Sequence, residues 1–142
     1  MSADEYLLKP LRYLEFEKAI SRALLKIQVD KNKIFVESTN QGKIVIDLDD
    51  ILFFETCERK IKIHTTEGLF TSYRRMKEYE KRLEGEHFYR CHAAFIVNLL
   101  YISQIKDNVV LLKDGSEIMI SKKRRKGFMS EFTKYIGSLV QI

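Results

Sequence analysis

Arg90, Cys91 and His92 stand side by side within FYRCHAAFIVNLLYI, residues 88–102, and together they suggest three kinds of chemistry. A thiol beside an imidazole suggests a nucleophile and its base. The same two side chains, with Cys57, His64 and His87 elsewhere, suggest metal ligands. A cation next to a histidine at the end of a strand suggests contact with a phosphate or a base edge. The first two readings fail on spacing. Neighbours on a strand point to opposite faces, so Cys91 and His92 cannot act as a pair, and no Gly-rich elbow supplies an oxyanion site. The cysteines and histidines include no CxxC and no HxxxH, and the six glycines are scattered singly and form no phosphate cradle. The pattern is not that of an enzyme and calls for no cofactor and no metal. Its plain reading is a small buried cysteine, a histidine tied to the backbone, and Asn98 satisfying buried backbone groups in an otherwise apolar run.

The third reading gains from KKRRK at 122–126, the one dense basic cluster, although such a run also fits a solvated helix start. The formal net charge is +5. Residues 1–30 carry five basic and five acidic side chains, so the whole excess lies beyond them. With 142 residues, 45% hydrophobic and 32% charged, the chain suits one globular domain with a real core. No apolar run approaches the roughly 20 residues of a membrane helix, the start MSADEY lacks a signal peptide's basic residues, and two cysteines make no disulfide framework. A cytoplasmic protein without a membrane partner is the expectation.

The elements that must position these groups change character near 28–33. Residues 11–28 have the period of an amphipathic helix, with Leu14, Ile20, Ala23, Leu24 and Ile27 on one stripe and Pro10 just ahead. Beyond lie short β-branched or aromatic segments: KIFVES, KIVIDL, ILFFETC, KIKIHTT and LFTSYR. They are parted by Asn40-Gln-Gly42, Asp49-Asp50 and Glu67-Gly68. Ile61 and Ile63 alternate with Lys60, Lys62 and His64, as in a half-buried antiparallel strand. RMKEYEKRLE, 75–84, reads as a short helix stopped by Gly85. FIVNLLYI, SQIKD, VVLLK and EIMIS then resume the β texture around turns at Asp107-Asn108 and Asp114-Gly115. Phe128, Phe132, Tyr135, Ile136 and Leu139 mark a closing helix. Domain boundaries at 1–30 and 31–142 follow.

In this order, ILFFET, KIKIHT, a short helix, FYRCHAAFIVNLLYI and VVLLKDGSEIMISKKR resemble the LytTR DNA-binding domain over about residues 36–130. That family's signature runs Phe-x-Arg-x-His-x-Ser-[aromatic or aliphatic]-x-Val-Asn, then Ile-x-[Ile or Val]-Ser-[Arg or Lys]. Phe88, Arg90, His92, Phe95, Val97 and Asn98 match the first part, and Ile118, Ile120, Ser121 and Lys122 match the second. Ile51 through Glu55 match its I-x-[YF]-[IF]-E element. Residues 3–10, ADEYLLKP, resemble the last strand of a response-regulator receiver domain, and the helix at 11–28 its final helix. By that resemblance the chain is a piece of a longer regulator, whose cognate histidine kinase would act through the missing receiver.

The resemblance implies an elongated, mainly β, antiparallel fold of three small sheets with one short internal helix, a C-terminal helix and the N-terminal helix of the truncated receiver. It implies sequence-specific binding of double-stranded DNA with repeated half-sites, loops entering successive major grooves. Carried over, the reading positions are Arg59 and Lys60, then His92 and Ala93 beside Arg90, then Lys122 and Lys123 followed by Arg124 and Arg125. Arginine and lysine can contact guanine O6 and N7. Ala93 and Ala94 depart from the family's polar residues there, and an alanine can only touch a thymine methyl. The alternative is a β-rich protein-interaction module with a solvated basic face. An RNA binder of the stacking type would expose aromatics on a sheet face, whereas Phe53, Phe54, Phe88 and Phe95 read as core. The apolar stripe, without a receiver sheet to cover it, suggests a homodimer through residues 6–28.

Overall fold

The computed structural model describes residues 32–139. The receiver-like strand and helix expected at 1–30, with their dimer contact, lie outside the described residues.

Alternating apolar residues form the first strands, β1 (Lys33–Ser38) and β2 (Gly42–Asp47). Gly42 has φ 74°, a left-handed value glycine adopts without a Cβ penalty. β3 (Ile51–Cys57), β4 (Lys60–Thr65) and β5 (Gly68–Ser72) follow as an antiparallel meander. The helix α1 (Met76–Arg82) comes next, and Gly85 just beyond it has φ 85°. Strands β6 (Phe88–His92), β7 (Phe95–Asn98), β8 (Ile102–Lys106), β9 (Val109–Leu112) and β10 (Glu117–Met119) lead to α2 (Lys122–Leu139).

The described strands make two sheets rather than the expected three. One has seven strands in the order β2-β1-β5-β4-β3-β7-β6, and the other has three in the order β10-β9-β8. The reason lies in β3, which is hydrogen-bonded on both edges. Phe53 faces His64 of β4 on one side and Val97 of β7 on the other, and this joins the meander to the β6–β7 hairpin. β3 is buried on both faces for its first four residues, which explains why ILFF is apolar without alternation.

FIVNLLYI is likewise not one strand. Asn98 ends β7: its Oδ1 accepts the Leu100 N–H at 2.9 Å and starts a 3-10 turn, Leu99–Tyr101. Its Nδ2 donates to the carbonyls of Ile51 (2.8 Å) and Leu48 (3.3 Å). Asn98 is wholly buried with both amide ends engaged, the role its position in an apolar run suggested.

Two cores flank the seven-stranded sheet. On one face Phe54 lies 4.9 Å from the Tyr79 ring of α1, and the Tyr79 hydroxyl donates to Ser72 Oγ at 2.8 Å. On the other, Leu52, Phe53, Cys91 and Val97 pack with Val110, Leu112, Ile118, Ile120 and Phe128 from the small sheet and α2. The stripe of α2 is buried only at its start. Phe128 is inaccessible, whereas Ile136 and Leu139 are exposed.

Candidate nucleic-acid interface

The β6–β7 hairpin presents the signature residues, and its geometry depends on a bulge. Between the pairs Tyr89↔Val97 and His92↔Phe95, β6 advances three residues against two on β7. The extra residue turns Cys91 inward while Arg90 and His92 stay half-buried. Alanine is not a turn former, so the Ala93-Ala94 turn is held from outside. His92 Nδ1 accepts the Ala94 N–H at 3.0 Å, and Arg90 donates from Nε (3.3 Å) and Nη2 (2.7 Å) to the Ala93 carbonyl. With Nδ1 as acceptor, the neutral imidazole carries its proton on Nε2. Burial pushes the Cys91 thiol up to about 12, so it stays protonated, with Sγ near the Met119 carbonyl at 3.7 Å.

Not all the predicted cations reach solvent. The Arg90 side chain is only 17% exposed, and its Nη1 meets Glu80 Oε1 at 3.0 Å. Arg124 Nη1 lies 3.9 Å from the other oxygen of Glu80 and 3.5 Å from the Arg90 carbonyl. Glu80 of α1 thereby ties β6 to the first turn of α2. Arg125 donates to the Asp107 carbonyl and, at 3.2 Å, to Asn108 Oδ1 in the β8–β9 turn. These three arginines hold loops together.

Lys122 and Lys123 differ. They lie in the first turn of α2 rather than ahead of it, both are exposed, and neither has a carboxylate partner among the described residues. Ser121 precedes them, and its Oγ accepts the Arg124 N–H at 3.3 Å as the helix cap. Its own N–H donates to the Cys91 carbonyl at 2.9 Å, so the start of α2 is pinned to β6.

Arg59 in the β3–β4 turn and Lys60 at the start of β4 are exposed. Glu58 at the tip of the turn has φ 59°, a left-handed value uncommon for glutamate. This turn forms one wall of an open cleft that Ala93 also lines. The structure thus brings two of the three expected reading places to a single concavity. Further lining residues went unnoticed in the sequence: Tyr73, Arg74 and Arg75, between β5 and α1, and Lys77 in the first turn of α1. The signal was there in YRRMK, three cations in five residues after a strand. The remaining histidines have separate partners: His64 stacks on Phe53 at 4.0 Å and reaches Glu55 at 2.9 Å, and His87 reaches Asp49 at 3.1 Å.

Comparison with known proteins bears on the family and the fold. A profile described as the LytTr DNA-binding domain matches residues 41–133. Transcriptional regulatory protein LytR of Staphylococcus aureus strain N315 is 23% identical over an alignment covering 98% of this chain and 63% of that protein. Sensory transduction protein LytT of Oceanobacillus iheyensis is 30% identical over 89% of this chain and 57% of that protein. The chain therefore spans less than two thirds of the length of these curated relatives. A solved LytTr DNA-binding domain of a response regulator from Bacillus cereus superposes with a TM-score of 0.63. It is 22% identical and covers 70% of this chain and 95% of its own, a likeness of fold.

Proposed function

The chain belongs to the LytTR family of DNA-binding domains, and on that premise we propose that it binds double-stranded DNA sequence-specifically as the output domain of a response-regulator transcription factor. The observation that carries the proposal is the split among its cations. Arg90, Arg124 and Arg125 are bound to protein groups, whereas Arg59, Lys122 and Lys123 project without a carboxylate partner among the described residues, and Lys60 lies beside the Tyr73 ring. Cations held ready on rigid turns suit groove reading and phosphate contact, because base edges and phosphates are approached by donors on positioned loops. In this reading Arg59, Lys60, Lys122 and Lys123 are the readers. Arg90, His92, Arg124 and Arg125 set the shape of the turns, and Ala93 permits close approach and meets at most a thymine methyl.

The target is double-stranded DNA with repeated half-sites, one copy on each. Residues 1–30 are the end of a receiver, through which a cognate histidine kinase controls the regulator in the cytoplasm. Among the described residues no helix is long and apolar enough to cross a membrane.

Selection of bound duplexes from a random library, followed by competition binding across a salt series, tests the reading. A recovered repeated motif whose preference over scrambled duplex survives at higher salt is expected, because nonspecific phosphate binding fades with salt. Recovery of no enriched motif overturns it in favour of a protein-interaction module.

A further inference from the structure

We propose that Tyr73, Arg74, Arg75 and Lys77 form a phosphodiester clamp that grips the DNA backbone in the cleft that Arg59 and Lys60 also line. This rests on the DNA-binding reading above and assigns a ligand class to a segment outside its reading positions. Tyr73 is an aromatic side chain 67% exposed at the end of a strand, and Lys60 Nζ lies 5.7 Å from its ring centroid. The ring therefore links the start of β4 to the β5–α1 segment. Arg75 and Lys77 are exposed without a carboxylate partner among the described residues. The Arg74 guanidinium has only a long 3.9 Å contact with Glu78 that is half exposed on both sides. Such an exposed pair holds its cation weakly, so Arg74 can turn to a phosphate at little cost.

The backbone under these cations is firmly placed. Ser72 Oγ, itself buried, accepts the Arg74 N–H at 3.1 Å as well as the Tyr79 hydroxyl. Glu78 accepts the Arg75 N–H at 3.2 Å. The side chains of Arg74, Arg75 and Lys77 are donors with no acceptor capacity, and so match a phosphate strand rather than a base edge, which presents both donors and acceptors. Glu58 is the one carboxylate among the residues lining the cleft. The cleft is open and runs past Ala93, with no enclosed nest for a single phosphate, so a polymer backbone fits it better than a free nucleotide.

The experiment uses the full chain with Arg74→Gln, Arg75→Gln and Lys77→Gln combined, and Lys77→Gln alone as a companion whose exposed position spares the fold. Affinity for the selected duplex and for a scrambled one is measured from low to high salt. The triple variant is expected to lose about 10- to 100-fold on both duplexes alike, and its log K against log salt slope to flatten by about 2 to 3, with about 1 for Lys77→Gln. Wild-type slope and affinity in both variants overturn the clamp and leave the DNA-binding reading intact. Loss of preference between duplexes, with the slope unchanged, also overturns it, since the segment then reads bases. A wild-type chain that binds neither duplex overturns both readings together.

Discussion

Cys91 has the most reactive side chain near the Ala93 turn, and its surroundings suppress that reactivity. Its thiol is inaccessible, and burial raises it from 9.0 to about 12. The unfolded thiol therefore ionises from about pH 9 while the folded one keeps its proton. Between those limits the unfolded state binds fewer protons, so stability falls as pH rises, by at most about 1.4 kcal/mol per unit. Tyr79, Tyr101 and Tyr135 are also raised by burial from 10.0 and act in the same direction as pH approaches and passes that value, so the thiol's share is read from the difference between wild type and a variant without it. Urea melts at pH 8 and pH 10 are expected to show a loss in the wild type that is smaller in Cys91→Ala. An equal loss in both would reject burial of the thiol as its cause. His92 is expected to matter through its hydrogen bond. His92→Ala leaves the Ala94 N–H without its acceptor and should cost about 1–3 kcal/mol, with a melting temperature that neither zinc nor a chelator moves. A chelator-sensitive wild type would instead revive metal binding.

At the scale of elements, the start of α2 sets stability against function. Five consecutive basic residues open the helix and its first turn holds no acid, the wrong sign for a helix N-terminus with its partial positive charge. Lys122→Ala with Lys123→Ala is expected to stabilise the fold slightly, by about 0.3–1 kcal/mol per lysine removed, while weakening DNA binding and flattening its salt slope by up to about 2. A double variant that keeps its affinity and slope would remove α2 from the reading edge. One turn further, Gly127 has room for no Cβ: a methyl there would meet the Tyr89 hydroxyl, whose ring packs 5.8 Å from Phe128. Gly127→Ala is therefore expected to destabilise the native chain. Combined with Tyr89→Phe, which removes that hydroxyl, it should instead gain about 1 kcal/mol over Tyr89→Phe alone, the helix preference for alanine over glycine. A loss of equal size in both backgrounds would mean that the clash lies elsewhere. Local patterns were legible in the sequence: the alternation around Ile61 and Ile63, the turn at Gly42, the stop at Gly85, and Asn98 as a buried polar anchor. The break at Ala93-Ala94 was not, because its hydrogen bonds come from Arg90 and His92 rather than from turn-forming residues. The further lining of the cleft was equally hidden. Nothing local states that Tyr73 will meet Lys60; the pairing of β4 with β5 brings them together.

For the molecule as a whole, the net charge of +5 is a poor guide to partners, because half of the matter is where cations are left without acids. In the proposed reading, one copy, with such cations on the β3–β4 turn, on α1 and at the start of α2, serves one half-site. On that proposal a repeated site takes two copies, and cooperation between them needs a contact between the copies. The sequence of residues 6–28 offers one in Leu14, Ile20, Ala23, Leu24 and Ile27, a self-complementary stripe suited to a two-fold contact. We propose that two copies meet through this stripe, because burying each large aliphatic side chain contributes about 1.5–3 kcal/mol. Sedimentation equilibrium is expected to show a dimer for the full chain and a monomer for one beginning at Lys31. Binding to two adjacent half-sites should be cooperative in the first and independent in the second. A monomeric full chain would end the proposal of this seam, and cooperativity that persists from Lys31 onward would transfer the contact to the β domain or to the DNA itself.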